Sequence, residues 1–152
     1  MPIDLDMLAE EIIDDEGVRL RVYDDATGEP LHPGMTLKGH PTIGYGRALD
    51  VNGISIEESK FLLRDDMVSK TDALLKSLPW VEQLDSVRAR VLANMAYQMG
   101  PDGLLGFHDM LSALKRKDYT TAAAEMLDSE WARQETPERA IKLSNRMRTG
   151  IA

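Results

Sequence analysis

Three residues in the first third of the chain, Glu16, Asp25 and Thr42, have types and spacing suited to acid–base chemistry. Glu16 stands immediately before Gly17, where the pattern marks the end of a helix. That end of a helix carries partial negative charge and disfavours a second anion, so a carboxyl there is suited to carrying a proton. A general acid must do so. Asp25 follows nine residues later in a polar turn, where an ionised carboxylate is comfortable. A helix end and a turn joined by one strand can face two carboxyls across a gap, one protonated and one charged. Glycoside hydrolysis divides its labour in that way. Thr42 opens the run Thr42-Ile43-Gly44-Tyr45-Gly46, whose hydroxyl can orient a water and whose glycines let backbone approach a ligand. The pair alone is weak support, because the chain holds 26 acids. The plainer reading of Thr42 is a turn threonine beside a bulge.

Other chemistries fit less well. His32, His40 and His108 lie in separate segments without metal-ligand spacing and are expected in surface or turn roles. Asp50-Val51-Asn52-Gly53 brings its glycine too early for a calcium loop and reads as a turn. Leu49 occupies the third glycine position of a dinucleotide fingerprint. There is no cysteine nucleophile, and no serine sits in an elbow motif. No metal and no cofactor are expected.

The elements that must position these residues follow from the same rows. Leu5, Leu8 and Ile12 recur at helical spacing behind Asp4, an N-cap residue, and Gly17 supplies the stop. Val18 to Tyr23 alternates strictly and predicts a strand with one buried face. Residues 24–41 are rich in Gly, Pro, Asp and Thr, and Thr42–Gly46 reads as a second strand weakened by glycine. From Ser55 the pattern is helical. Ser55 and Glu58 form a capping box ahead of a long helix with Phe61, Leu62, Met67, Leu74, Leu75 and Leu78 as its apolar positions. That helix ends before Pro79. A second, with Val87, Val91 and Met95 as its buried stripe, stops at Gly100-Pro101. Short helices follow near Phe107–Lys117 and Tyr119–Trp131, and a last one starts at Thr136-Pro137. The reading is α+β, one domain over 1–152: an N-terminal helix over 4–16, a small antiparallel β lobe over about 18–54 and a larger helical lobe over about 55–150.

Bulk properties narrow the partners. A formal charge of −8 argues against general nucleic-acid binding, which needs a basic face. Residues 1–66 hold 15 acids against 6 bases, while residues 67–152 hold 11 against 12, so the acidity belongs to the first half. The amino terminus lacks the basic start and apolar run of a secretory signal, and no run approaches the ~20 apolar residues that span a bilayer. The expectation is a soluble protein without membrane insertion, its stability resting on packing alone because no disulfide can form.

With these residues in view, the sequence resembles the T-even phage-type lysozymes, the phage endolysins of glycoside hydrolase family 24. Glu16-Gly17-Val18-Arg19-Leu20-Arg21-Val22-Tyr23, then Asp25, then Thr42-Ile43-Gly44-Tyr45-Gly46 is similar to their active-site signature. Leu84-Asp85-Ser86-Val87-Arg88 and Asn94–Gly100 resemble their central helix. Trp131, Gln134, Thr136-Pro137, Arg139 and Arg148-Thr149-Gly150 resemble their C-terminal segment in the same order. The resemblance implies a lysozyme-like fold with the active-site cleft between the lobes, and a muramidase that cuts the bond between N-acetylmuramic acid and N-acetylglucosamine in peptidoglycan. It implies Glu16 as proton donor, Asp25 and Thr42 as holders of the attacking water, and inversion at the anomeric carbon. Arg139 is implied beside the glutamate, Asp15 with Lys142 as a second charge pair, and Ala48, Tyr97, Gln98, Met110, Glu125 and Gln134 as substrate contacts. It further implies a monomer, kept in the host cytoplasm until lysis and reaching the periplasm and wall by way of a holin.

Departures from the family pattern are specific. Met110 and Glu125 stand where uncharged polar residues are expected, and Arg47 where a histidine is familiar. Residues 26–41 form a longer loop than the archetype has, and one extra residue lies between Trp131 and Pro137. Two rivals remain open at this stage. A lytic transglycosylase needs one acid and no water-holding aspartate, and a silent wall-binding protein could use the same fold without activity.

Overall fold

The computed structural model describes residues 3–152; Met1 and Pro2, part of the amino-terminal stretch read above, lie outside the described residues. The chain divides into two compact units, Met1–Ser59 and Lys60–Ala152. The division falls inside the long helix rather than at its start.

The first unit opens with α1 (Leu5–Glu16). Asp4 caps it as expected, its side chain accepting from the N–H groups of Asp6 and Met7 at 3.0 and 3.1 Å. Gly17 closes it, donating its N–H to Ile13. A three-stranded antiparallel sheet follows in the order β1 (Arg19–Asp24), β2 (Pro41–Gly44), β3 (Arg47–Ala48). Tyr23 pairs with Thr42 and Thr42 with Ala48, while the β1–β2 register slips between Arg19 and Tyr23. Two expectations are corrected here. The alternation of β1 does not produce a buried apolar face: Leu20 is 82% exposed, and the buried position is Asp24. The second strand ends at Gly44, because Tyr45 and Gly46 make the turn into β3.

The long loop folds back on β1. Pro30 bridges Tyr23, and Leu31 donates its N–H to the Val22 carbonyl. After β3 comes α2 (Leu49–Asn52), a single helical turn where a plain turn was expected. Arg47 fixes its end by donating to the Gly53 carbonyl at 2.8 Å and pairs with Glu58 at 2.8 Å. Next begins α3 (Ile56–Ser77). Its capping box forms in both directions: Ser55 N–H to Glu58 at 2.7 Å and Glu58 N–H to Ser55 Oγ at 3.1 Å.

In the second unit a short 3₁₀ turn, Pro79–Gln83, leads to α4 (Ser86–Leu105), α5 (His108–Lys115), α6 (Tyr119–Leu127), a π-helical turn at Trp131–Glu135, and α7 (Pro137–Thr149). The core lies among these helices, with Leu92, Met95, Leu104, Met126, Leu143 and Met147 fully enclosed. In α3 only Leu74 is buried, so most of the apolar positions read along that helix do not join the core. Gly100 leaves helical geometry with φ 78, and Pro101 restarts the helix instead of ending it. Proline suits a first helical turn because the N–H it lacks would have no partner there. Thr136 does not cap α7 with its side chain; its hydroxyl accepts from Gln98 instead.

Candidate active site

Glu16, Asp25, Thr42 and Ala48 all belong to the first unit and are carried on or beside one small sheet. Glu16 is the last residue of α1, and its carboxylate lies against Gly46 in the β2–β3 turn. A Cβ on Gly46 would stand 3.1 Å from Glu16 Oε2, and φ there is +83, so side chains are disfavoured at that turn on two counts. The glycine run was expected to let backbone approach a ligand; in the structure the close approach at Gly46 is to Glu16.

Asp25 leaves the end of β1, and its surroundings come from the long loop. The His40 N–H donates to Asp25 Oδ1 at 2.7 Å, and the Asp25 N–H donates to the His40 carbonyl at 3.1 Å. Thr42, 2% exposed, donates its hydroxyl to that same carbonyl at 3.0 Å. The main chain of one residue therefore joins both side chains. With its proton committed, the Thr42 oxygen is left as an acceptor. Gly39 completes the cradle: a Cβ there would overlap Asp25 Oδ1 and stand 2.8 Å from the Ala26 nitrogen.

Asp24 holds this loop in place and was not singled out by sequence reasoning. It is wholly buried, and its carboxylate accepts from Lys38 at 2.6 Å, Gly39 at 2.9 Å and Ala26 at 2.9 Å. The Lys38 N–H above all, then those of Ala26 and Gly39, keep its pKa below the usual carboxylate value against the opposing effect of burial. Its polar type gave no sign of burial, since the donors come from residues up to fifteen positions away. His40 is likewise more than a turn residue. Its Nδ1 meets Asp50 Oδ2 at 2.8 Å, and that hydrogen bond, reinforced by charge, raises the histidine and lowers the aspartate from their ordinary values.

The remaining predicted residues lie in the second unit. Tyr97 receives Lys70, whose ammonium donates to the Tyr97 carbonyl at 2.7 Å and sits 4.6 Å from its ring centre. Gln98 has its amide engaged at both ends, accepting from Trp131 Nε1 at 3.0 Å and donating to Thr136 Oγ1 at 3.2 Å. Arg139 is bound by Asn94, with Nε to Oδ1 at 2.9 Å and an η nitrogen to Oδ1 at 2.6 Å. Gln134 is exposed in the π-helical turn. Met110, implied as a substrate contact, is a core residue, 1% exposed. Together with Glu125 it lines a hollow of about 470 Å³.

Comparison with known proteins agrees with this architecture. Residues 14–148 match the family described as phage lysozyme. The chain is 28% identical over 155 residues to a protein named probable T4-type lysozyme 1 of Dictyostelium discoideum, covering 90% of each. It is 27% identical to probable T4-type lysozyme 2 of that organism, again over 90% of both chains. It is also 30% identical over 171 residues to the pre-baseplate central spike protein Gp5 of Enterobacteria phage T4, of which it spans 28%.

Proposed function

The chain belongs to the phage lysozyme family and is a glycoside hydrolase of the muramidase type with peptidoglycan as substrate, and from that premise we propose an inverting mechanism carried by Glu16, Asp25 and Thr42. Glu16 gives its proton to the glycosidic oxygen as the bond from C1 of N-acetylmuramic acid breaks. A water on the opposite face attacks C1, passing one proton to Asp25 while its other proton is held by Thr42 Oγ1. One water is consumed, each new end carries a hydroxyl, and the proton on Asp25 returns Glu16 to its starting state by way of solvent. The observation that carries this reading is the shared use of the His40 main chain. His40 N–H donates to Asp25 Oδ1 and fixes that carboxylate, and the His40 carbonyl accepts from the Thr42 hydroxyl, which leaves the Thr42 oxygen able to accept from water.

Ala48, Tyr97 and Gln134 are proposed to line the glycan, and Gln98 to act by holding Trp131 and Thr136. Arg139 is proposed as a supporting group for the acid. The enzyme works as a monomer, remains in the host cytoplasm until lysis, and meets the wall once a holin opens the way. The similarity to a pre-baseplate central spike protein favours a second placement for the same chemistry, as part of the phage particle. Deleting the gene separates the two: loss of timed lysis supports release, and intact lysis with defective particles supports a place in the particle.

The mechanism is tested by following reducing ends released from purified sacculi. Glu16→Gln should lower kcat by about 10²–10⁴-fold. Wild-type rates in that variant would dismiss Glu16 as the acid. Inversion predicts that the fresh reducing ends appear as the α anomer, and anhydro-muramic ends would mean a transglycosylase instead.

A further inference from the structure

We infer that His40 and Asp50 form a clamp that positions Asp25 and Thr42, which makes both of them positioning residues of the hydrolytic site proposed above. The inference rests on that proposal and adds residues to it. The His40 main chain makes three hydrogen bonds with these two residues: its N–H donates to Asp25 Oδ1, and its carbonyl accepts from the Asp25 N–H and from the Thr42 hydroxyl. A rotation of this one residue would therefore shift the carboxylate and the hydroxyl together. The segment from Pro33 to His40 has no helix or strand to hold it. Something else must fix the His40 peptide.

On one side Asp24 holds Lys38 and Gly39 by their N–H groups. On the other, the His40 ring is tied to Asp50 at 2.8 Å. Asp50 sits in α2, and α2 is itself fixed: Arg47 donates to the Gly53 carbonyl and pairs with Glu58 at the start of α3. A continuous path thus runs from the α3 cap through Arg47, α2, Asp50 and His40 to the water-holding pair. Asp50 above all, and more weakly the charges of Asp25 and Asp24, favour the imidazolium that makes the tie charge-assisted. Both partners of the tie are about half exposed, so it adds little to global stability. Its consequence is local geometry, on which reaction rates depend steeply.

A double-mutant cycle tests the clamp on sacculi, with kcat and KM read separately. His40→Ala and Asp50→Ala should each lower kcat about 10-fold, leaving KM and Tm close to wild type. The double variant should be no slower than either single one, since the two act as one unit. Asp50→Asn, which removes the charge and keeps the shape, should fall between wild type and Asp50→Ala and guards against a folding defect. Single effects that multiply in the double variant, a change confined to KM, or an unaltered kcat in His40→Ala would each overturn the inference. Wild-type protein without glycan cleavage, or a fully active Glu16→Gln, would bring down the mechanism beneath it. Active wild type and inactive Glu16→Gln beside an unaltered His40→Ala would bring down the clamp alone.

Discussion

Replacing Gly39 by alanine perturbs the Asp25 cradle through one methyl group. Backbone conformation is no obstacle, since Gly39 is not among the residues with positive φ. The obstacle is space: the new Cβ would overlap Asp25 Oδ1 and stand 2.8 Å from both the nitrogen and the Cβ of Ala26. Ordinary contact begins near 3.4 Å, so Ala26 must recede by about 0.6 Å and the Asp25 carboxylate by more. The side chain can swing, but the Ala26 nitrogen cannot move without pulling on Asp24, which it shares with Lys38 and Gly39. Overpacking of this kind costs about 1–3 kcal/mol, a fall in Tm of roughly 2–4 °C for each kcal/mol at this size. The kinetic effect should be larger, because a misplacement near 1 Å can cost about 10²-fold. Reducing-end release from sacculi at saturating substrate gives kcat, and circular dichroism gives Tm. Gly28→Ala is the control, since Gly28 lies in the same hairpin at φ +75 but its Cβ would meet nothing within 4 Å. That variant should lose stability through backbone strain and keep kcat. A Gly39→Ala enzyme with wild-type kcat, or equal kcat losses in both variants, would refute the reasoning.

Three further expectations concern other parts of the molecule. Gln98→Ala orphans the Nε1 of the buried Trp131 and should cost about 1–3 kcal/mol; with the amide committed inside, KM should stay within about 3-fold of wild type, and a large KM increase without loss of Tm would make Gln98 a direct glycan contact. Arg88 holds the end of α7, donating to the Met147 and Arg148 carbonyls at 2.7 and 3.1 Å and stacking 3.5 Å from the Tyr119 ring. Arg88→Ala should therefore lower stability by about 3 kcal/mol and leave kcat at 20–25 °C (about room temperature) untouched, as thermal melts and the same assay would show. Asp24 has a depressed pKa, so its contribution is fully present above the ordinary carboxylate value of 3.8 and is lost as pH falls through the lower native value. The amide proton shifts of Lys38 and Gly39 should report that midpoint by NMR, below 3.8, and a midpoint above it would contradict the buried carboxylate cradle.

Local signals carried much of this protein. The Asp4 cap, the Ser55–Glu58 box and the proline opening α7 were legible because each is settled within a turn of helix, where sequence neighbours are spatial neighbours. Glu16, Asp25 and Thr42 stood out by type and order, and the resemblance to a family implied the roles proposed for them. What sequence could not supply was the partner of each group. The alternation of β1 promised an apolar face, yet Leu20 is exposed and Asp24 is enclosed, because the loop returns fourteen residues later with N–H donors for that carboxylate. Met110 gave no sign of its burial, which depends on what packs over its helix and not on the helix's own pattern. Gln98 and Arg139 could be named, but only the fold shows their polar atoms bound by Trp131, Thr136 and Asn94. The sequence determined which candidate acid–base residues stand at which spacing and where several helices start. Tertiary structure decided that the main chain of His40 joins Asp25 to Thr42, because a hydrogen bond between positions fifteen apart exists only once the loop between them has closed.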